Sequence, residues 1–324
     1  MVDPHSVADP GGESPLREVG QWVCVRPLSQ SQFFQLFAAK AVGQPPELPP
    51  AYVVKIARDE ADPTIARRLL ARESDVSRAV SHPRIISVLA ANLNGPCPYV
   101  VLPFLEGQTL EEILKKGPLP LWRAVGIARQ IAEGLAALEK AGWRHGDLKP
   151  GNVHLGARGQ VTLLDLSFAG RIGTASAGEA FLCGTPIYMA PELLHGRPKV
   201  DIRSDLYSLG LIVLEMLTGQ PPSGQGLADD RPAESGYLCS PPAEWKNLPP
   251  RLDRLMGRLL AQDPLRRPAH AQEVVEQLVD TELGIFSKMS KGLATKPAKA
   301  LGTVRQFPTA SGESLAQAQA TSSS

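Results

Sequence analysis

The chain has 324 residues, of which 43% are hydrophobic, and its formal net charge is +1. This length fits one two-lobed domain or two small ones, and the near-neutral charge gives no indication of a nucleic-acid partner. No apolar run reaches the ~18 residues that a membrane-crossing helix needs, so we expect no membrane span.

Strand patterns fill the first part of the chain. Residues 1–16 are rich in Pro, Gly, Asp and Ser and predict a disordered N-terminal segment. Between residues 21 and 56, short apolar runs alternate with turn formers, which predicts strands with a loop over Gln44–Pro50. Residues 63–80 have helical periodicity, and Tyr99–Leu102 is a further short strand.

Helices dominate from residue 109 onward. Thr109 and Glu112 form a capping-box pattern that opens a helix over 110–116. Val153–Leu155 and Val161–Leu164 predict a small hairpin. The other helical patterns, in chain order, are Leu121–Ala141, Asp205–Gly219, Leu252–Ala261 and Ala271–Leu278.

The C-terminal residues change in character. Residues 284–324 hold five Lys or Arg against one Glu and end in a Ser-rich stretch. This composition predicts a disordered basic, Ser-rich tail over 283–324, and a regulatory or docking tail is the alternative.

The cysteines indicate a compartment. Cys24, Cys97, Cys183 and Cys239 match no disulfide framework and no zinc-ligand spacing. Free thiols are typical of a reducing environment. The N-terminus has no signal pattern, so we expect a cytoplasmic protein.

The most specific string begins at His145 and reads His-Gly-Asp-Leu-Lys-Pro-Gly-Asn-Val. It places the carboxylate of Asp147, the ammonium of Lys149 and the amide of Asn152 in one loop before a strand. Phosphoryl transfer needs these chemical types, because a carboxylate orients the attacking hydroxyl and a cation offsets phosphate charge. An amide oxygen can complete a magnesium shell. A charged surface loop is the alternative, but six matching residues are rare by chance.

Two further strings accompany the first. Asp165 ends the strand pattern Leu163-Leu164, where a carboxylate can hold magnesium on ATP phosphates. Such an acid alone is more often a turn former, but its position after Asp147 and a hairpin favours the metal role. The second string, from Gly184 to Glu192, reads Gly-Thr-Pro-Ile-Tyr-Met-Ala-Pro-Glu.

With these strings the sequence resembles the protein kinase family, and within it the Ser/Thr protein kinases of bacterial-like type. The resemblance covers about residues 17–282 in unbroken motif order. It implies an α+β, bilobal protein kinase fold. An N-lobe over 17–105 would hold an antiparallel sheet plus one helix, and a C-lobe over 106–282 would be mainly α-helical.

The resemblance implies a role for each matching catalytic residue. Asp147 would be the catalytic base or hydroxyl orienter, and Lys149 would stabilise the transferring phosphoryl group. Asn152 and Asp165 would bind Mg²⁺. The implied cofactors are ATP and Mg²⁺.

The nucleotide site follows in the same way. Lys55, oriented by Glu73, would hold the α- and β-phosphates of ATP. The hinge would meet adenine through backbone groups, the carbonyl of Pro103 and the N–H of Leu105. The remaining ATP-binding positions, on the strands that cover the phosphates, are Leu28, Ser29, Ser31 and Leu36.

Four residues match the family's structural and substrate-platform positions. Asp205 would brace the catalytic loop, and Arg267 would pair with Glu192. Lys149 and Thr185 resemble the Ser/Thr branch rather than the tyrosine branch. The expected partner is therefore a protein substrate with a Ser or Thr acceptor, with a regulatory partner protein as a further candidate.

The chain departs from the family pattern in three places. Ser29, Ser31 and Phe34 stand where the phosphate-covering loop has glycines, which predicts weaker ATP binding rather than an inactive enzyme. Gly146 replaces an arginine, which predicts activity that depends less on loop phosphorylation. Leu166-Ser167 replaces Phe-Gly, and the serine would restrict backbone freedom there.

Two alternative functions stay open at this point. The degenerate loop favours a pseudokinase that acts as a binding or scaffold module, whereas the retained Lys55, Glu73, Asp147 and Asp165 favour an enzyme. A small-molecule phosphotransferase can share the Asp and Asn pattern, but it lacks a protein-substrate platform.

Overall fold

An antiparallel sheet and one helix form the N-terminal lobe. The computed structural model describes residues 17–45, 47–174, 186–194, 200–222 and 248–294. The sheet has the strand order β1-β2-β3-β4-β6-β5, and every neighbouring pair is antiparallel. The strands are β1 Arg17–Val19, β2 Trp22–Gln30, β3 Phe34–Ala41, β4 Tyr52–Ala57, β5 Ala90–Asn92 and β6 Tyr99–Pro103.

Helix α1, Pro63–Ala79, lies against this sheet. Its N-cap Asp62 accepts hydrogen bonds from the N–H groups of Thr64 and Ile65, and a proline occupies the first turn. Both features satisfy or remove N–H groups that a helix start leaves unpaired. The buried face of α1 carries Glu73 inward together with the apolar side chains.

The remaining elements are mostly helical. The helices are α2 Leu110–Leu114, α3 Leu121–Lys140, α4 Pro191–Leu194, α5 Arg203–Thr218, α6 Pro250–Leu259 and α7 Ala271–Ala294. One small sheet has the order β10-β9-β7, and β11 pairs with β8. These strands are β7 Gln108–Thr109, β8 Trp143–Arg144, β9 Val153–Leu155, β10 Val161–Leu163 and β11 Gly170–Arg171.

Helix boundaries follow local capping chemistry. Both hydrogen bonds of the capping box between Thr109 and Glu112 are present at the start of α2, as the sequence predicts. Helix α5 ends at Gly219, whose φ of 70° is left-handed and suits a residue without a side chain. Nearly every side chain of α5 is buried, so this helix forms the centre of the C-terminal lobe.

The main hydrophobic cluster joins the two lobes. It includes Leu70 of α1 and Val100 of β6 as well as Leu163 of β10 and Leu206 of α5. The predicted α+β fold class, with a sheet-rich N-lobe and a helical C-lobe, is confirmed. The lobe boundaries at 105 and 282 stay predictions.

Helix α7 is longer than the sequence pattern predicts. The expected helix ends at Leu278 and the expected disordered tail begins at 283, whereas α7 continues to Ala294. The prediction was wrong over 283–294 because apolar spacing continues across Gly284. Leu278 and Ile285, two turns apart, both pack on the main cluster.

The chain divides into two units, Met1–Ile285 and Phe286–Ser324, and the last turns of α7 are the described part of the second.

Strand β5 is short and was not predicted. In the described ranges, no helix combines the length and apolarity that a bilayer crossing requires. The expected disordered segment 1–16 lies outside the described residues.

Candidate active site

Asp205 of α5 holds the backbone of the loop that follows β8. Its Oδ2 accepts a hydrogen bond from the N–H of His145 at 2.6 Å, and its Oδ1 accepts from the N–H of Gly146 at 3.0 Å. The Nδ1 of His145 accepts from the N–H of Asp147 at 3.3 Å, so its Nε2 donates to the carbonyl of Leu164 at 3.0 Å. These bonds fix the loop beside the end of β10.

Two side chains of this loop donate hydrogen bonds to Asp147. The Nζ of Lys149 donates to Asp147 Oδ2 at 2.7 Å. The Nδ2 of Asn152 donates to the same oxygen at 3.0 Å and to the Asp147 carbonyl at 2.7 Å. Both bonds use the nitrogen of the amide, which leaves its oxygen for another ligand. Burial raises the pKa of Asp147, and the Lys149 ammonium opposes that rise.

A buried ion-pair cluster lies on the N-lobe side of this loop. Lys55 Nζ on β4 donates to Glu73 Oε2 at 2.8 Å and to Asp165 Oδ1 at 2.7 Å. The Lys55 side chain is 3% exposed and the Glu73 side chain is fully buried. Although burial alone would lower it, the neighbouring Asp165 and Glu73 carboxylates raise the pKa of Lys55. Lys55 is therefore firmly charged.

Asp165 is the solvent-facing member of the cluster, with 32% of its side chain exposed. Burial would raise its pKa, but the Lys55 ammonium and a hydrogen bond from Ser167 lower the pKa of Asp165 to about 2. Its φ of 56° makes it the one non-glycine among the described residues with a positive φ. Such strained backbone is concentrated at functional sites.

The loop that carries Asp147 and the Lys55 cluster lie next to each other. The N–H of Leu164 donates to the carbonyl of Asn152 at 2.8 Å. The Asp165 carboxylate is close enough to Asp147 to raise its pKa further. The structure thus brings together Asp147, Asn152 and Asp165 with Lys55, although 110 residues separate Lys55 from Asp165.

Apart from Lys55 and Glu73, the predicted nucleotide-binding residues lie on β2 and β3, in the turn between them, and at the end of β6. Leu36 lies directly opposite Lys55 in the sheet, and Ser29 pairs with Leu36 across the β2–β3 hairpin. A register shift between Pro27 and Ser29 leaves Leu28 in a bulge. At the end of β6, Leu105 packs against the main cluster. The described residues provide no acceptor for the Leu105 N–H, which suits a donor reserved for a ligand.

The turn between β2 and β3 forms without glycine. The N–H of Ser31 donates to the carbonyl of Phe34 at 2.8 Å, and Ser31 Oγ accepts from the Phe34 N–H at 3.2 Å. No residue of this turn has a positive φ. The Phe34 ring is buried, and its centroid lies 4.7 Å from Lys55 Nζ, a cation–π contact. The missing glycines are therefore replaced by a side-chain cap and a packed ring.

A cavity of about 540 Å³ opens on the C-lobe side of Asp147. The residues that line it include Lys149, Tyr188 and Glu215 as well as Glu111 of α2. Tyr188 donates to Glu215 at the rim. This position beside Asp147 suits an incoming acceptor group.

Glu192 and Arg267 form the second buried ion pair. Arg267 Nη1 donates to Glu192 Oε1 at 2.7 Å, and Nη2 donates to Oε2 at 2.9 Å. Arg267 also donates to the carbonyl groups of Ala261, Arg203 and Gln262. The pair therefore links α4 to α5 and to the end of α6. Thr185 lies outside the described residues.

Sequence reasoning missed two side chains at this site. The Ser167 hydroxyl is fully buried in the Lys55 cluster. Arg144 is buried beside Gly146 and Gly170, and a Cβ at Gly170 would lie 2.7 Å from its Nη2. The neighbouring glycines are the only sequence signal for Arg144. The Arg144 guanidinium therefore lies beside Gly146, two residues later in the chain.

Comparisons with known proteins were consistent with this geometry. The family model described as protein kinase domain matches residues 49–279. The chain is 35% identical over 237 residues to the serine/threonine-protein kinase pkn2 of Myxococcus xanthus, covering 69% of this chain and 28% of that protein. It is 32% identical over 247 residues to the serine/threonine-protein kinase PknB of Mycobacterium tuberculosis strain H37Rv, covering 71% and 38% respectively. It is 30% identical over 242 residues to PknK of Mycobacterium bovis, a serine/threonine-protein kinase, covering 73% and 22%. The chain therefore spans less than two fifths of each of these relatives.

Proposed function

Because the chain belongs to the protein kinase family, we propose that it is a serine/threonine protein kinase that transfers the γ-phosphoryl group of ATP to protein hydroxyls. The observation that carries this proposal is the buried Lys55–Glu73 ion pair, which holds Asp165 beside Asp147. Phosphoryl transfer requires a cationic side chain that binds phosphate and two carboxylates around one cleft.

The oxygen donors in this cleft fit magnesium. Asp165 presents a carboxylate that is ionised at neutral pH, and Asn152 presents an amide oxygen. Oxygen ligands of this type are those that Mg²⁺ prefers. When bound, Mg²⁺ would neutralise charge on the phosphate oxygens of ATP. Asp165 and Asn152 are the residues that would hold it.

The nucleotide would lie under the β2–β3 hairpin. Lys55 would contact its phosphates, and Glu73 keeps the Lys55 ammonium oriented toward the cleft. Leu28 and Leu36 would cover the base and ribose, with Ser29 and Ser31 near the phosphates. The carbonyl of Pro103 and the N–H of Leu105 would meet the adenine edge.

Asp147 and Lys149 would act on the acceptor. Burial raises the pKa of Asp147, which makes its carboxylate a better proton acceptor than an exposed aspartate. Lys149 contacts Asp147 Oδ2 and would offset charge on the phosphoryl group as it moves. The cavity beside Asp147 would admit the side chain that carries the hydroxyl.

Serine and threonine are the proposed acceptors. Lys149 matches the Ser/Thr branch of the family, and the printed names of the relatives are those of serine/threonine-protein kinases. A protein substrate, a regulatory partner protein and a cytoplasmic location belong to the same proposal. The free thiols of Cys24 and Cys97 favour a reducing compartment.

Radiolabelled phosphate transfer tests the proposal. The wild-type chain is incubated with γ-labelled ATP, Mg²⁺ and a mixture of Ser-, Thr- and Tyr-containing peptides, and phosphosites are mapped. We expect label on Ser or Thr, and a loss of at least about 100-fold in the rate for Asp147→Asn, since positioned acid–base groups contribute that much.

Lys55→Met separates the enzyme from the binding-module alternative. The intact Lys55–Glu73–Asp165 contacts favour catalysis, and Lys55→Met should abolish transfer through lost phosphate binding. Transfer that is undetectable in the wild type, or equal in wild type and Asp147→Asn, would instead favour a scaffold.

A further inference from the structure

The Ser167 hydroxyl lies inside the Lys55 cluster. Its Oγ accepts a hydrogen bond from Lys55 Nζ at 2.8 Å and donates one to Glu73 Oε2 at 3.0 Å. A hydroxyl can do both at once because it has one proton and two lone pairs. Ser167 has no solvent exposure, so water cannot substitute for either contact.

The contacts of Ser167 complete the hydrogen bonding of Lys55. A lysine ammonium has three donors, and here they go to Glu73, Asp165 and Ser167. Glu73 depends on the same hydroxyl. Among the described residues, its Oε1 has no hydrogen-bond partner, so Oε2 receives both of the bonds that hold the carboxylate, from Lys55 and from Ser167.

The backbone of Ser167 makes further contacts with the same elements. Its N–H donates to Asp165 Oδ1 at 3.3 Å, and its carbonyl accepts from Arg72 Nη1 of α1 at 3.4 Å. One residue therefore connects β4, helix α1 and the segment that carries Asp165. A glycine or alanine would retain the backbone contacts but neither of the two made by Oγ.

We propose that Ser167 is a positioning residue that holds Lys55 and Glu73 in the geometry needed to bind nucleotide phosphate. This inference deepens the proposed function and rests on it. Ser167 acts through Lys55 rather than on the phosphate itself. Without its hydroxyl, buried Glu73 would keep a single hydrogen bond, and the Lys55 ammonium would lose one of its three acceptors. Both side chains would then sample other positions.

Chemical labelling of Lys55 tests the inference without any need for turnover. The folded wild type, Ser167→Ala and Ser167→Cys are treated with an amine-acylating reagent in the absence of nucleotide, and the Lys55 peptide is quantified by mass spectrometry. One buried hydrogen bond corresponds to about a five- to tenfold change in an equilibrium, so both variants should label Lys55 about five- to tenfold faster.

Thr281→Val is the matched control. Thr281 is also buried, and its hydroxyl donates to the carbonyl of Gln277 at 2.7 Å, in α7. This variant loses one buried hydroxyl hydrogen bond outside the cluster, so it should label Lys55 at the wild-type rate. Ser167→Cys keeps nearly the volume of serine and provides the measurement if the alanine variant does not fold.

Kinetics supply a second readout that a purely structural role would not change. Ser167→Ala should raise KM for ATP about five- to tenfold while KM for the peptide stays unchanged. The increase should shrink in a Glu73→Gln background, because the two residues share one contact. Equal effects in both backgrounds would contradict the inference.

The labelling result stands apart from the proposed function. If the wild type transfers no phosphate, the proposed function is wrong, while the labelling rates still decide whether Ser167 holds Lys55. If the wild type is active but Ser167→Ala and Ser167→Cys label Lys55 at the wild-type rate, the positioning role is overturned.

Discussion

Lys55 is charged in the interior because every one of its donors has an oxygen acceptor. Glu73, Asp165 and Ser167 surround its ammonium, and the Phe34 ring covers it. Burying a charge without such partners would destabilise the folded chain by several kcal/mol, on the order of the desolvation penalty per ion. The carboxylates thus keep Lys55 protonated.

Stability should depend on pH through Asp165. Its pKa is about 2 in the folded chain, against about 3.9 for an unfolded aspartate. A lowered folded pKa stabilises the protein above pH ~4, and this stabilisation is lost as the pH falls toward 2. Because 32% of the side chain is exposed, solvent screening limits this contribution to about 1–2 kcal/mol.

Asp165→Asn removes this contribution. At pH 7 its free energy of unfolding in urea should lie about 1–2 kcal/mol below that of the wild type, and the gap should narrow toward pH 3. Asp280→Asn, in an exposed pair with Arg251, serves as control and should change stability little at either pH. If the difference in unfolding free energy between Asp165→Asn and the wild type does not vary with pH, the lowered pKa of Asp165 is contradicted.

Individual site residues could be predicted where a motif fixes their chemistry and spacing. Asp147, Lys149 and Asn152 lie within one loop, so their convergence follows from local sequence. The Ser167 hydroxyl and the buried Arg144 depend on segments that only tertiary packing brings together. For that reason the sequence alone indicates only a change of backbone freedom at Ser167, and the prediction for Gly146 stays a prediction.

Capping chemistry sets the ends of several elements. Helix α5 ends at Gly219, where φ is 70° and a Cβ would lie 2.8 Å from Pro118 Cδ. Position 219 is therefore restricted twice, by backbone conformation and by the neighbouring ring.

Gly219→Ala should be more destabilising than an alanine at an open left-handed glycine. Gly159, in the β9–β10 turn, has a φ of 76°, and no heavy atom in the described part of the chain lies within 4 Å of a Cβ there. Gly159→Ala should cost about 1–2 kcal/mol from the left-handed backbone alone. Gly219→Ala should cost about 1–3 kcal/mol more because of overpacking. Urea unfolding of both variants provides the comparison, and equal losses would show that Pro118 simply moves aside.

Long, periodic elements were predictable and short ones were not. The pattern over Leu121–Ala141 corresponds to α3, and the pattern over Asp205–Gly219 corresponds to α5. Strand β5, Ala90–Asn92, has only three residues and depends on pairing with β6, which local sequence does not encode. The end of α7 was misplaced because the composition of the tail was taken to indicate disorder, although packing continues beyond Leu278 to Ile285.

At the scale of the whole molecule, two buried ion pairs anchor the two lobes. The Lys55 pair lies in the N-lobe, and the pair between Glu192 and Arg267 lies in the C-lobe. Arg267 uses all three guanidinium nitrogens and also lies over the Tyr207 ring, whose centroid is 4.7 Å from its Cζ. Removing either partner would leave a buried, uncompensated charge.

Glu192→Gln should therefore destabilise the C-lobe strongly. Breaking a buried pair costs about 3–5 kcal/mol, and each kcal/mol lowers Tm by about 2–4 °C in a domain of this size. Thermal unfolding followed by circular dichroism measures the shift. Arg251→Ala breaks an exposed pair with Asp280 and should lower stability by less than about 1 kcal/mol. Similar Tm values for the two variants would refute the anchoring role.

The enclosure of Lys55 has a consequence for how quickly a nucleotide can be captured. With 3% exposure, a ring above it and an oxygen atom at each of its donors, the ammonium offers no vacant contact to an arriving phosphate. Under the proposed function, a phosphate would reach the ammonium by exchange, in which Asp165 withdraws or Phe34 tilts first. The observed rate of nucleotide binding would then be limited by that internal opening rather than by diffusion. It would level off as the nucleotide concentration rises.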